Sequence, residues 1–224
     1  NLPLFARATL EVAPEAHLVV VDDASPDGTG DVADELARTD PRVSVLHRAG
    51  KLGLGTAYVE GFVRGLAQGH EFFVEMDTDL SHDPNYLPAF FEAFAQGADV
   101  VIGSRNVPGG GVEGWGLGRH VLSKGGSLYA RTILGVDVMD LTSGYKGYSR
   151  RALEAIDLRD IESNGYSFQI ETTYRALRRG MTVREVPIVF VDRRVGESKM
   201  SRRIFAEAVA MVWKLRIEAL RDRL

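Results

Sequence analysis

The stretch Leu18-Val19-Val20-Val21-Asp22-Asp23-Ala24-Ser25-Pro26-Asp27-Gly28 decides the architecture of this 224-residue chain. Its first four residues are apolar and mostly β-branched, as a strand buried on both faces requires. The run stops abruptly at two carboxylates and a turn-forming cluster. The same grammar recurs downstream. Val43-Ser44-Val45-Leu46 reads as a second strand, Phe72-Phe73-Val74-Glu75-Met76 as a third and Val100-Val101-Ile102 as a fourth. Helical spacing fills the intervals: about 31–38, then 54–68 with Tyr58, Phe62 and Leu66 on one face, then a segment opened by Pro84 that carries Leu87, Phe90, Phe91 and Phe94. Strands alternating with helices at this spacing predict an α/β fold, a mostly parallel Rossmann-like sheet flanked by helices. Such sheets bind ligands beyond the carboxyl ends of their strands. Asp22-Asp23, Asp77-Thr78-Asp79 and Ser104-Arg105 all stand at those ends.

Beyond residue 105 the pattern loosens. The glycines from Gly109 to Gly118 predict a mobile loop, and a helix follows from about Arg119 to Leu134. Val183 to Val191 reads as a strand interrupted by Pro187, hence an edge or a bulge. Residues 201–224 form a long helix with Ile204, Ala208, Met211, Leu215 and Ala219 on one face. No internal repeat or low-complexity segment appears. The organisation expected is one catalytic domain over residues 1–200 and a basic amphipathic helix over 201–224.

Composition excludes several classes. Hydrophobic residues make up 45% and charged residues 26%, ordinary values for a folded globular chain. Cysteine is absent, which removes disulfides, thiolate zinc sites and a catalytic thiol. No run of residues is long and apolar enough to span a bilayer. The net charge of −4 argues against nucleic acid. It is unevenly spread: residues 199–224 carry seven basic and three acidic side chains, leaving the rest at −8. Dinucleotide (GxGxxG) and phosphate-loop motifs are missing. The five histidines have no metal-ligand spacing, and Ser104 and Ser123 have no triad context.

Two constellations carry chemistry. In an extended chain Asp77 and Asp79 point to the same side, and two carboxylates at a strand end make a hard oxygen site suited to Mg²⁺ or Mn²⁺. The competing reading is a pair of turn-capping aspartates ahead of Pro84; Asp22-Asp23 has the same two readings, turn or contact to a ribose or base. The complementary set is cationic: Arg105, Arg119, Lys124, Arg193, Arg194 and Lys199 near glycines or element ends, suited to the oxygens of a diphosphate.

Taken together, these stretches resemble the family-2 glycosyltransferases, and among them the polyprenol-phosphate (dolichol-phosphate) mannosyltransferases. The resemblance rests on Val20 to Thr29, Lys51 to Ala57, Met76 to Pro84, Gly103-Ser104-Arg105, Asp140 to Lys146 and Asn164 to Glu171, and runs from about Leu18 to Lys199. It implies a GT-A fold, a GDP-mannose donor, a polyprenyl phosphate acceptor, a divalent metal and inversion at the anomeric carbon. Asp77 and Asp79 match the metal pair, with Ser81 where some relatives have a further ligand, Gln. Asp22 and Asp23 match positions near the nucleoside, and Lys51 falls in a motif on the same side. Arg105, Arg119 and Ser123 match the acceptor-phosphate positions, and Arg193 and Lys199 a loop over the diphosphate. Relatives begin with a strand that this sequence lacks ahead of Asn1.

The resemblance also implies a chain on the cytoplasmic face of a membrane, meeting its lipid through a basic helix or with a membrane-anchoring protein or domain; the competing reading of that helix is that its apolar face packs on the body. Arginine outnumbers lysine 22 to 5, which points to a GC-rich bacterium. Three other readings are carried forward: a UDP-glucose donor, a haloacid-dehalogenase-like phosphatase built on Asp77-Thr78-Asp79, and a non-catalytic nucleotide-sugar-binding subunit.

Overall fold

The computed structural model describes residues 1–163, 165–192 and 202–221. Helix α1 (Leu2–Val12), which the periodicity reading leaves unassigned, leads into strand β1 (Leu18–Asp22), helix α2 (Thr29–Thr39), strand β2 (Val43–His47) and helix α3 (Leu54–Ala67). Strand β3 (Phe72–Glu75), helix α4 (Leu87–Ala95), strand β4 (Val100–Ser104), strand β5 (Gly111–Glu113) and helix α5 (Leu117–Leu134) follow. The chain continues through strand β6 (Lys146–Ser149), helices α6 (Arg150–Ala155) and α7 (Tyr166–Arg178), strands β7 (Val183–Pro187) and β8 (Val189–Val191), and helix α8 (Arg202–Leu220).

The central sheet is mixed. Its order is β3-β6-β4-β7, with β6 antiparallel to both of its neighbours and β4 parallel to β7. Strands β3 and β4 therefore share a direction without touching, and their carboxyl ends lie at one edge of the sheet. Strand β4 shows why the apolar run Val100-Val101-Ile102 is needed. Val100 and Ile102 enter one core cluster with Phe168 and Leu134, whereas Val101 enters the opposite cluster with Phe90 and Tyr145. Alternation thus buries every residue when helices cover both faces. Gly147 of β6 permits the close approach of α4, because a Cβ there would stand 2.7 Å from the Phe94 ring.

Two expectations are corrected here. The Val183–Val191 segment is two strands: β7 ends at Pro187, on the edge of the central sheet where a missing N–H is tolerated, and β8 leaves to pair with β5. That pairing makes part of the glycine-rich segment a strand, Gly111–Glu113, instead of a loop.

Strands β1 and β2 form a separate parallel pair. Among the described residues, β1 and β3 each have one edge without a strand partner. Between them lies a cavity of about 830 Å³, walled by Leu18 to Asp22 on one side and Phe72 to Asp77 on the other, with Phe5 and Phe62 among its apolar lining. Helix α1 lines this same cavity.

Helix α8 carries two apolar stripes. Val212, Leu215 and Ala219 are buried in the cluster that holds Val100 and Ile102, so the helix is part of the same body. Trp213, Ile217 and Leu220, spaced i, i+4, i+7, are exposed. The face read from the sequence through Met211, Leu215 and Ala219 is thus the packed stripe, and the exposed stripe is a second one. Adjacent residues differ by about 100° around a helix, so 212 and 213 face different surroundings.

Candidate active site

Asp22 closes β1 and is buried. It accepts a hydrogen bond from the Ser25 N–H at 3.1 Å and meets His47 Nδ1 at 3.4 Å. Burial pushes its carboxyl up, but Ser25 and His47 together outweigh that and hold it below the ordinary range. His47 in turn is raised by its contacts with Asp34 and Asp22. Gly30, at the start of α2, makes the crowding possible, since a Cβ there would lie 2.9 Å from Asp22 Oδ2.

Asp23 does something the sequence reading misses. Its Oδ1 receives Arg48 Nη1 at 2.5 Å and the Leu52 N–H at 3.1 Å, while Oδ2 receives the Gly53 N–H at 3.2 Å. Arg48 is buried and also bonds Glu60 and the Thr56 hydroxyl. In this structure Asp22 stands at the strand end, and Asp23 clamps the loop before α3. Lys51 lies exposed on that clamped loop.

The Asp77-Thr78-Asp79 turn is held from three sides. The Tyr58 hydroxyl of α3 donates to Asp77 Oδ1 at 3.2 Å. The Asp77 N–H donates to His82 Nδ1 at 2.9 Å. The Ser81 N–H and hydroxyl both donate to Asp79 Oδ1, at 3.0 and 2.5 Å. Ser81, expected as a metal ligand, therefore orients Asp79 in this structure. Leu80 between them has a φ of +66°, a left-handed conformation that turns the chain sharply. Among the described residues no group of three or more His, Cys, Asp or Glu is gathered for a metal. Two carboxylates suit an ion that takes its remaining ligands from water and a substrate diphosphate.

His82, three residues beyond Asp79, is given no role by the sequence reading. It is buried, stacked on Tyr145 with ring centroids 5.1 Å apart and set edge-on to Phe190. Burial lowers its pKa, and acceptance of the Asp77 N–H requires an unprotonated Nδ1. His82→Leu is expected to strand that N–H and cost about 1–3 kcal/mol. His82→Asn, whose Oδ1 replaces Nδ1, is expected to retain most of the stability and of the Mn²⁺ affinity. Urea melts and Mn²⁺ titrations of the two variants decide it; equal losses in both would exclude the hydrogen bond as the cause.

Beyond β4, Arg105 is fixed by Asp140. Nε and Nη2 contact Oδ2 and Oδ1 at 2.7 Å each, the Arg105 N–H adds a bond of 3.0 Å, and Nη2 reaches the Thr142 hydroxyl. Asp140 is fully buried. Burial drives its carboxyl up, yet the Arg105 guanidinium keeps it below the usual range. Arg119 on α5 pairs with Asp192 at 2.7 Å. Both guanidiniums lie against Trp115, a residue with no signal in the sequence. Ser123, half-buried, follows Arg119 by one turn of α5. Arg193, Arg194 and Lys199 lie outside the described residues, and Lys124 is exposed on α5.

Residues 6–157 match the model of the glycosyl transferase family 2, and that match includes both aspartate pairs and Arg105. The chain is a family 2 glycosyl transferase. This glycosyl transferase is 52% identical to the undecaprenyl-phosphate mannosyltransferase of Micrococcus luteus, over all of this chain and 93% of that protein. It is 50% identical to the polyprenol monophosphomannose synthase of Mycolicibacterium smegmatis, over all of this chain and 84% of that one. In fold it is similar to a mannosyltransferase of Pyrobaculum calidifontis solved with GDP-Man and Mn²⁺, with a TM-score of 0.57 and 18% identity over 99% of this chain and 61% of that one. The GT-A expectation holds for the glycosyl transferase. The family match spans Asp77-Thr78-Asp79 and removes the ground for reading that motif as a phosphatase nucleophile.

Proposed function

We propose that this glycosyl transferase moves mannose from GDP-mannose to a polyprenyl phosphate with inversion, giving a β-linked mannosyl phosphate. The observation that carries the reading is the placement of two opposite charge sets at one edge of the sheet. A braced carboxylate pair follows β3, and an arginine cluster follows β4. Its support from relatives is two bacterial polyprenyl-phosphate enzymes that share half of its residues end to end.

Asp77 and Asp79 are the residues that would hold Mg²⁺ or Mn²⁺. When bound, the ion neutralises charge on the departing diphosphate. The remaining work belongs to the chain's own groups. A phosphate monoester has its second pKa at about 6, so the acceptor is largely dianionic at neutral pH and needs no strong base. Its difficulty is approach, since one anion must reach a sugar attached to another. Arg119, with Arg105 behind it, offsets that repulsion and aligns the attacking oxygen with the anomeric carbon, whose bond to the diphosphate breaks as the new bond forms. Asp22 and Lys51 stand on the nucleotide side, and Arg193 and Lys199 would attend the diphosphate.

No described helix is long and apolar enough to cross a membrane. The exposed Trp213, Ile217 and Leu220 stripe on the basic helix α8 would meet the lipid surface, placing the enzyme on the cytoplasmic face. Trp213→Asp with Ile217→Asp is expected to reduce flotation with anionic vesicles while leaving the melting temperature unchanged; undiminished flotation would remove α8 from the membrane contact. For the reaction itself, GDP-mannose and UDP-glucose are offered separately with a polyprenyl phosphate, with and without Mn²⁺. Metal-dependent mannosyl transfer is the expected result. Preference for UDP-glucose would reassign the donor, and donor binding without turnover would reduce the protein to a nucleotide-sugar-binding subunit.

A further inference from the structure

Trp115 lies in the short connection between β5 and α5, immediately after Gly114. Three groups converge on its indole. Arg119 Cζ is 4.2 Å from the ring centroid, Arg105 Cζ is 5.5 Å away, and the Phe190 ring meets it edge-on at 5.4 Å. Each guanidinium is also tied to a carboxylate, Arg105 to buried Asp140 and Arg119 to half-buried Asp192. The indole is therefore a shared face on which two cations from β4 and α5 are held near each other.

The indole also has an unmet need. Its Nε1–H is shielded from solvent and has no hydrogen-bond partner among the described residues. A buried donor left unsatisfied is destabilising, and indole nitrogens in cores normally find an acceptor. Next to two guanidiniums, the group that best supplies one is an anionic oxygen. Phe190 shields the same place and strengthens electrostatic contacts there.

We infer that Trp115 is a binding residue for the phosphate monoester of the acceptor, holding Arg105 and Arg119 on its face and donating its Nε1–H to a phosphate oxygen. The inference rests on the proposed function for the identity of the phosphate's bearer. The shared chemistry, a phosphate oxygen, could also come from the donor's diphosphate, and the two sources are separable by kinetics.

Trp115→Phe keeps an aromatic face for both guanidiniums and removes only the donor. It is expected to raise the KM for polyprenyl phosphate about tenfold, the size of one lost hydrogen bond to a charged group. The kcat, the KM for the nucleotide sugar and the melting temperature should stay within about twofold or a few degrees. An unchanged acceptor KM overturns the assignment, and so does an equal rise in the donor KM. A second readout needs no turnover. Trp213 is the other of the two tryptophans, so Trp213→Phe leaves Trp115 as the sole reporter. Farnesyl phosphate is expected to shift its fluorescence, whereas farnesol is not; equal shifts with both overturn the phosphate contact. If the intact protein glycosylates no polyprenyl phosphate but the fluorescence still answers to farnesyl phosphate, the transferase reading falls and the site at Trp115 stands.

Discussion

Asp79→Ala and Asp77→Ala are each expected to lower sugar transfer by about 10²–10³-fold, the cost typical of removing one preorganised group that meets charge developing in a transition state. Both variants should also lose stability. Asp79 Oδ1 accepts the N–H and the hydroxyl of buried Ser81, so its loss strands two donors within the turn. Asp77 accepts the hydroxyl of Tyr58, and its removal strands that hydroxyl at a cost of about 1–3 kcal/mol. Initial rates across a Mn²⁺ titration, with thermal melts of the same samples, separate the effects. Wild-type rates in both variants would end the carboxylate-pair reading. A rate loss matched by an equal loss of folded protein would mean that the turn is structural.

The second large effect concerns the buried ion pair beyond β4. Asp140→Ala is expected to cost about 3–5 kcal/mol, because it leaves the Arg105 guanidinium enclosed without its carboxylate. Domains are stable by only about 5–15 kcal/mol in total, so this variant should unfold at far lower urea. Arg105→Met with Asp140→Leu removes both charges and is expected to recover much of that stability, since a buried pair replaced by apolar groups is often neutral. The double variant should still transfer poorly, because the cation behind Arg119 is gone. Recovery of stability and activity together would show that Arg105 serves the fold alone. No recovery of stability would place the importance of Asp140 in the bonds its carboxylate accepts from the Thr142 hydroxyl and the Arg105 N–H.

Much of this is legible in the sequence. The runs at Leu18, Val43, Phe72 and Val100 became strands, and the 54–68 periodicity became α3, because short apolar runs with turn chemistry at their ends have few other folded solutions. Asp77 and Asp79 were legible for a related reason: their relation is local, two residues apart in one turn. Strand β6 was not. Lys146-Gly147-Tyr148-Ser149 has little apolar patterning, and it enters the sheet only because β3 and β4, more than 40 residues earlier, leave a place between them. Its buried Lys146 looks like a surface residue in sequence, yet its ammonium donates to Leu141 and Gln169 carbonyls and the Thr173 hydroxyl, and burial lowers its pKa to about 7.

The site divides along the same line. Sequence alone determined an α/β chain with acidic groups at its strand ends, and motif by motif its likeness to a family. It also singled out Arg105 and Arg119. Only the tertiary structure decided their partners: Asp140, 35 residues from Arg105, Asp192, 73 residues from Arg119, and Trp115 touching both. It likewise assigned Asp23 to a loop clamp, Ser81 to the orientation of Asp79, and α8 to the core on one stripe and to solvent on the other. The physical reason is range. Strand runs, turns and helix periods are written within a few neighbouring residues, whereas an ion pair, a stacked guanidinium or a buried face depends on which distant segments the sheet brings together.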